Sequence, residues 1–186
     1  MPIADEIKRI TLTNTPLDDR DKMAEAAELF RAIGLATCSW SRLEVQIDMT
    51  LMHVNQPKHS VELHDPEHPV GFKSKIKLLK RWFNQHPALK GQAEALRKIC
   101  PQILKLSGER NIFLHSVLQT YDPNTQTAVW RGIKANGPET YDMGLHQGSV
   151  GQLIAFAAEA HRLHVEFAKV CRQIYETGNL ERLRTA

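Results

Sequence analysis

One apolar stripe near the end of the chain leaves little freedom of fold. Leu153, Phe156, Ala160, Leu163, Phe167, Val170 and Ile174 follow one another at steps of three and four. That is the spacing of one face of an α-helix, and a face this long must be covered by other apolar faces. Ser149-Val150-Gly151-Gln152 ahead of it reads as a capping box, and Gly178 behind it as a stop. A helix is therefore expected over about residues 150–177. The same spacing recurs in three earlier segments, so the chain should be mainly all-α, a four- to five-helix bundle.

The first of these segments covers about residues 16–54. Thr15-Pro16-Leu17-Asp18 supplies a cap, a proline suited to the first turn and an acid at the positive end of the dipole. Its stripe is Ala26, Phe30, Ile33, Thr37, Trp40, Glu44, Ile47 and Leu51, with a bend allowed at Gly34. Residues 55–71 hold three prolines and three histidines and read as a loop. A helix over about 72–85 follows, with Phe72, Ile76, Leu79 and Phe83 inward. Lys73, Lys77, Lys80 and Arg81 form its basic side, and His86-Pro87 ends it. The third pattern starts near Ala88, is interrupted or restarted at Pro101, and runs to about Leu118.

The pattern then changes. VLQTY, DPNTQ and TAVWRGI read as strand, turn and strand, a small β-hairpin over about 117–134 inserted before the last helix. Residues 135–148 are rich in glycine and read as a loop. The expected organisation is a flexible lead-in over 1–15, a single helical domain over 16–178 and a tail over 179–186. Nothing approaches the roughly 18 apolar residues of a membrane span, and the charged start, MPIADEIKRI, lacks a signal-peptide core. Cys38, Cys100 and Cys171 are odd in number and far apart, which suits reduced thiols in the cytoplasm. A net charge of +3 permits contact with nucleic acid without arguing for it.

One residue conflicts with its stripe. Ile99, Ile103, Leu106, position 110, Phe113 and Val117 advance by four, three, four, three and four, yet position 110 is Arg110. A guanidinium on a core face needs a partner, a wet cleft or a subunit interface. Asn111 follows it, and His115 lies four residues beyond Asn111, so the amide is placed to touch and orient the imidazole. Arg110 and His115 are about 140° apart around an ideal helix, a gap that a long arginine arm can bridge. A second Arg with His five on, Arg81 to His86, has Trp82 after the arginine and a proline against the histidine. It serves as an internal control.

Arg110-Asn111-x-x-x-His115 on a late helix of an all-α chain resembles the HEPN superfamily, whose motif is Arg, four to six residues, then His, usually with a polar residue after the Arg. The resemblance in architecture covers roughly residues 16–177 and rests on three diagnostic residues. It implies a helical bundle, a homodimer that brings two motifs together, and metal-independent endoribonuclease activity of toxin or defence type. No cofactor or metal is implied, and an antitoxin partner often accompanies such proteins.

Those residue types suit that chemistry. A histidine can act as general base or acid near neutrality, and an arginine can meet a phosphate with two parallel donors. Two His115 copies in a dimer would supply both acid and base. Glu44, inward on the first long helix, is expected to pair with Arg110 and aim it. Lys73, Lys77, Lys80 and Arg81 are the candidate RNA-binding residues. Trp82 and Trp130 suit base stacking less well than burial. The alternative is a non-catalytic interaction or regulatory module with an unused site. A third reading is a His-rich metal-binding bundle, built on His161, His164 and the histidines of the first loop.

Overall fold

The computed structural model describes residues 10–11, 20–135 and 141–177. The protein is mainly helical, with a small antiparallel sheet inserted ahead of its last helix. In chain order the elements are β1 (Ile10–Thr11), α1 (Arg20–Glu25), α2 (Ala27–Val54), α3 (Phe72–Gln85), a 3-10 helix (Pro87–Gln92) and α4 (Ala93–Leu114). Then come β2 (Val117–Asp122), β3 (Thr127–Ala135), β4 (Tyr141–Ser149) and α5 (Val150–Thr177). The expected helix start at Thr15-Pro16, the stop at Gly178, the tail over 179–186 and most of the lead-in lie outside the described residues. Within that lead-in, Ile10 and Thr11 form β1, paired with Tyr121 and Thr120. Among the described residues no helix is long and apolar enough to cross a membrane.

Two compact units share the chain. Met1–Cys38 and Gly108–Ala158 make the first, Ser39–Ser107 and Glu159–Ala186 the second. In the first unit α1 and α2 meet at Ala26, and the hydrogen-bonded ladder continues through it, from Ala26 N–H to Lys22 O and from Phe30 N–H to Ala26 O, both 3.1 Å. α2 passes through Gly34 as one unbroken helix. The buried stripe is Ala26, Leu29, Ala32 and Ala36, one position off the expected Phe30, Ile33 and Thr37. Both stripes run from Ala26 to Trp40 in helical steps, so spacing alone does not choose between them.

The sheet has the order β1-β2-β3-β4, antiparallel throughout, with an irregularity between Leu118 and Thr120. The turn between β2 and β3 is built by Asp122, whose Oδ1 accepts from the N–H groups of Asn124 and Thr125 at 2.9 and 3.4 Å. The stretch read as a Gly-rich loop is instead largely β4, paired with β3 from Thr127↔Ser149 to Ala135↔Tyr141. Its glycines answer close packing. A Cβ on Gly148 would stand 3.2 Å from the Trp130 ring and 3.3 Å from the Phe113 ring. α5 then starts on the expected capping box: Ser149 N–H donates to Gln152 Oε1 at 2.8 Å, and Gln152 N–H to Ser149 Oγ at 3.2 Å.

In the second unit α3 buries Ile76, Leu78, Leu79, Trp82 and Phe83. Trp40 packs on Phe72 with ring centroids 5.0 Å apart. Thr50 meets Tyr175 through their hydroxyls. Pro101 lies inside α4 without ending it, although it has no N–H to offer the preceding turn. The 55–71 loop is fastened by Asn55, which donates to Asp65 O and accepts from Asp65 N–H, both at 2.8 Å. Cys38 is exposed, whereas Cys100 and Cys171 are buried, and all three are free thiols. Burial pushes the Cys100 thiol up to about 11 and the Cys171 thiol to about 12, so both stay protonated and unreactive at neutral pH.

Candidate functional site

The end of α4 is held against the sheet by one aromatic side chain. Phe113 meets Trp130 edge-on at 5.3 Å and Phe156 edge-on at 6.1 Å. Trp130 is almost wholly buried, at 1% exposure. One residue past Phe113 the helix stops at Leu114. His115 therefore sits beyond the helix end, in the two-residue link before β2, and not within a helix running to Leu118. Its backbone N–H still donates to Asn111 O at 3.3 Å, which keeps it close under the last turn. Anchored helix on one side and paired strand on the other fix where this link can go.

Arg110 is half-buried, while Asn111 and His115 are exposed. The Arg110 Nη1 donates to Asn111 Oδ1 at 3.1 Å and to His115 Nε2 at 2.7 Å. The arginine arm does bridge the gap around the helix. The expected contact of Asn111 with the imidazole is replaced by a contact of Asn111 with the guanidinium. The reason is reach: the guanidinium extends to both side chains and stands between them. A guanidinium only donates, so Nε2 is the acceptor, and the ring in this arrangement is neutral with its proton on Nδ1. Cation, amide and imidazole thus share one nitrogen as their junction.

The control pair behaves differently. Arg81 donates to Leu63 O at 2.7 Å, and His86 is buried, with its ring 5.7 Å from Trp82. Each of the two is occupied by local structure.

No family model matches the chain, and no curated protein or solved structure is significantly similar to it. The geometry of the site therefore carries the functional argument.

The remaining predicted residues fall as follows. Glu44 is half-buried in the second unit, and its Oε2 accepts from Trp40 Nε1–H at 2.8 Å. Lys73 and Lys77 are exposed, Lys80 is half-buried, and Arg81 is exposed with its guanidinium fixed on Leu63. Trp82 and Trp130 are both buried and unavailable for stacking. His161 and His164 have ring centroids 6.3 Å apart, and burial, then His161 and Arg42, hold the His164 imidazole below its ordinary value. Among the described residues no three His, Cys, Asp or Glu side chains converge on a metal-sized site.

The sheet adds two groups that the sequence pattern missed. Gly132 pairs with Gly144, and a Cβ on Gly132 would stand 2.9 Å from Ser116 Oγ and 3.4 Å from His146 Nε2. Ser116 follows His115 directly, so a hydroxyl and a second imidazole share the first unit with the Arg110 group. The paired glycines are the one sequence signal that could have pointed there, because glycine inside a strand marks a close approach.

Proposed function

We propose that this chain is a HEPN-like, RNA-binding, metal-independent endoribonuclease of toxin or defence type, acting in the cytoplasm as a homodimer. The observation that carries the reading is the 2.7 Å contact between Arg110 Nη1 and His115 Nε2. It joins a permanent cation to a neutral base on an accessible imidazole, the two groups that phosphodiester cleavage needs.

The resting contact also suggests an order of events. While Arg110 donates to Nε2, that nitrogen cannot take a proton. A phosphodiester entering the site competes for the guanidinium, which turns its paired N–H groups to the phosphate oxygens. Nε2 is thereby released beside the ribose. It takes the 2′-hydroxyl proton as the 2′-oxygen bonds to phosphorus. The bond from phosphorus to the 5′-oxygen breaks, and that oxygen takes a proton from the His115 imidazolium of a second copy. The products are a 2′,3′-cyclic phosphate and a 5′-hydroxyl, and the two histidines have exchanged protonation states. Asn111 keeps the guanidinium on this side of the helix throughout. An antitoxin that covers the exposed His115 would silence the site.

The purified protein should cleave labelled RNA in the presence of excess EDTA, leaving 2′,3′-cyclic phosphate ends. The rate should rise and then fall with pH, because one imidazole must be neutral and the other protonated. RNA binding without cleavage would favour the regulatory-module reading. Cleavage abolished by EDTA and restored by a divalent ion would remove the proposal.

A further inference from the structure

We infer that the cleft between α3 and the 55–71 loop is a second ligand site, and that it takes a phosphomonoester dianion. The inference stands whether or not the chain cleaves RNA. The cleft encloses about 540 Å³, within the ~300–1,000 Å³ of pockets that take small organic ligands. Its walls carry Lys77, Lys80 and Arg81 against a single carboxylate, Asp65, an excess of two positive charges. One phosphomonoester carries about −1.5 to −2 near pH 7, which matches that excess. A phosphodiester, with a single charge, would leave it half-balanced.

Three features separate this cleft from an ordinary basic helix face. The first is pre-organisation. Arg81, which lines the cleft, is tied to Leu63 O at 2.7 Å through one of its five N–H donors, which fixes the arm and leaves four donors over. The opposite wall is fixed by the paired bonds of Asn55 to Asp65, and Asp65 Oδ1 is engaged by Glu67 N–H at 3.2 Å. A ligand would therefore meet a formed site and lose little affinity to ordering it. The second is charge availability. Lys75 on the same helix is already paired with Asp48 at 2.8 Å, whereas none of the three cleft cations is ion-paired among the described residues. The third is localisation. A neighbouring cavity along this loop, about 450 Å³ and lined by His59, Glu62 and His86 among others, has no lysine or arginine.

The rest of the lining says what accompanies the phosphate. Pro69 and Leu78 offer apolar surface, and Asn84 and Gln85 offer amides. A ribonucleoside presents a matching ring and polar edge. The ligand chemistry is thus a nucleoside phosphomonoester, whether a free mononucleotide or the 5′-phosphate end of an RNA strand.

Calorimetric titration of the full chain at fixed ionic strength tests this with four probes: AMP, adenosine, and a short 2′-O-methyl oligonucleotide with either a 5′-phosphate or a 5′-hydroxyl. The methylated sugar cannot be cleaved through its 2′-oxygen. AMP, the 5′-phosphorylated oligonucleotide, or both should bind one per chain, and their unphosphorylated counterparts at least about tenfold more weakly. AMP alone identifies a free mononucleotide, and the oligonucleotide alone a strand end. Lys77→Ala and Lys80→Ala should each weaken binding by about tenfold, whereas Lys90→Ala, at an exposed lysine outside the cleft, should leave it unchanged. Equal binding of phosphorylated and hydroxyl probes, equal binding by all three variants, or no binding of any probe at millimolar concentration would overturn the inference.

Discussion

Replacing His115 with alanine is expected to lower the rate of RNA cleavage by about 10²–10⁴-fold, the range for loss of a positioned acid–base group. The thermal midpoint should stay within about 2 °C of wild type, because the side chain is exposed and its loss leaves no cavity. Arg110→Lys sharpens the test. It keeps the charge but cannot present two parallel donors to a phosphate, so activity should fall by at least about tenfold with the fold intact. Arg110→Ala should fall further. If His115→Ala and Arg110→Lys both cleave at the wild-type rate, the site lies elsewhere, and the Ser116–His146 group of the same unit becomes the next place to look.

The second large effect concerns stability. Trp130→Ala should cost about 3–5 kcal/mol, the range for truncating a buried large aromatic. Against a total of roughly 5–15 kcal/mol, that is a substantial share of the fold. The midpoint of thermal unfolding should drop on the order of 10 °C. Trp130 is 1% exposed, meets Phe113 at 5.3 Å, and closes over Gly148. Removing it withdraws the surface on which the end of α4 rests. Cleavage should therefore decline below the unfolding transition as well, since His115 lies two residues beyond Phe113. A loss under about 1 kcal/mol would mean that the sheet does not support the helix end as described.

Much of this fold could be read from periodicity, and the failures have identifiable causes. The long α5 and its capping box at Ser149 and Gln152 appear where spacing and cap chemistry place them. So do α3, its basic side and the β2–β3 hairpin. Periodicity places the first turns of α2 one position out because Phe30 outweighs Ala32 and Ala36 in size, although the smaller residues are the buried ones. β4 was hidden because Gly144 and Gly148 interrupt the usual strand composition. Gly148 stands against the rings of Trp130 and Phe113, which are distant in sequence, and Gly144 faces Gly132 across the strand pair. The Asn55–Asp65 clasp was invisible for a related reason, since a side-chain amide on a backbone leaves no period.

The candidate site shows the same division. Arg110, Asn111 and His115 were found from an arginine on an apolar stripe. Which of them touch depends on side-chain reach, which the spacing of residues along a helix does not encode. The arginine arm reaches both side chains, which gives Arg110 the central place between the other two. Glu44 was expected to aim Arg110 from its inward position. Its carboxylate accepts from its own helix neighbour Trp40, a bond that an i,i+4 reading of that helix could have anticipated.

Mixed dimers test the central claim most directly. Wild-type and His115→Ala chains carrying different affinity tags can be co-expressed and the heterodimer isolated through both tags. If one His115 acts as base and the other as acid across a two-fold axis, the heterodimer should cleave RNA at well under half the wild-type rate, in the presence of EDTA. A heterodimer that retains half the wild-type rate would show that each chain works alone and would contradict the account.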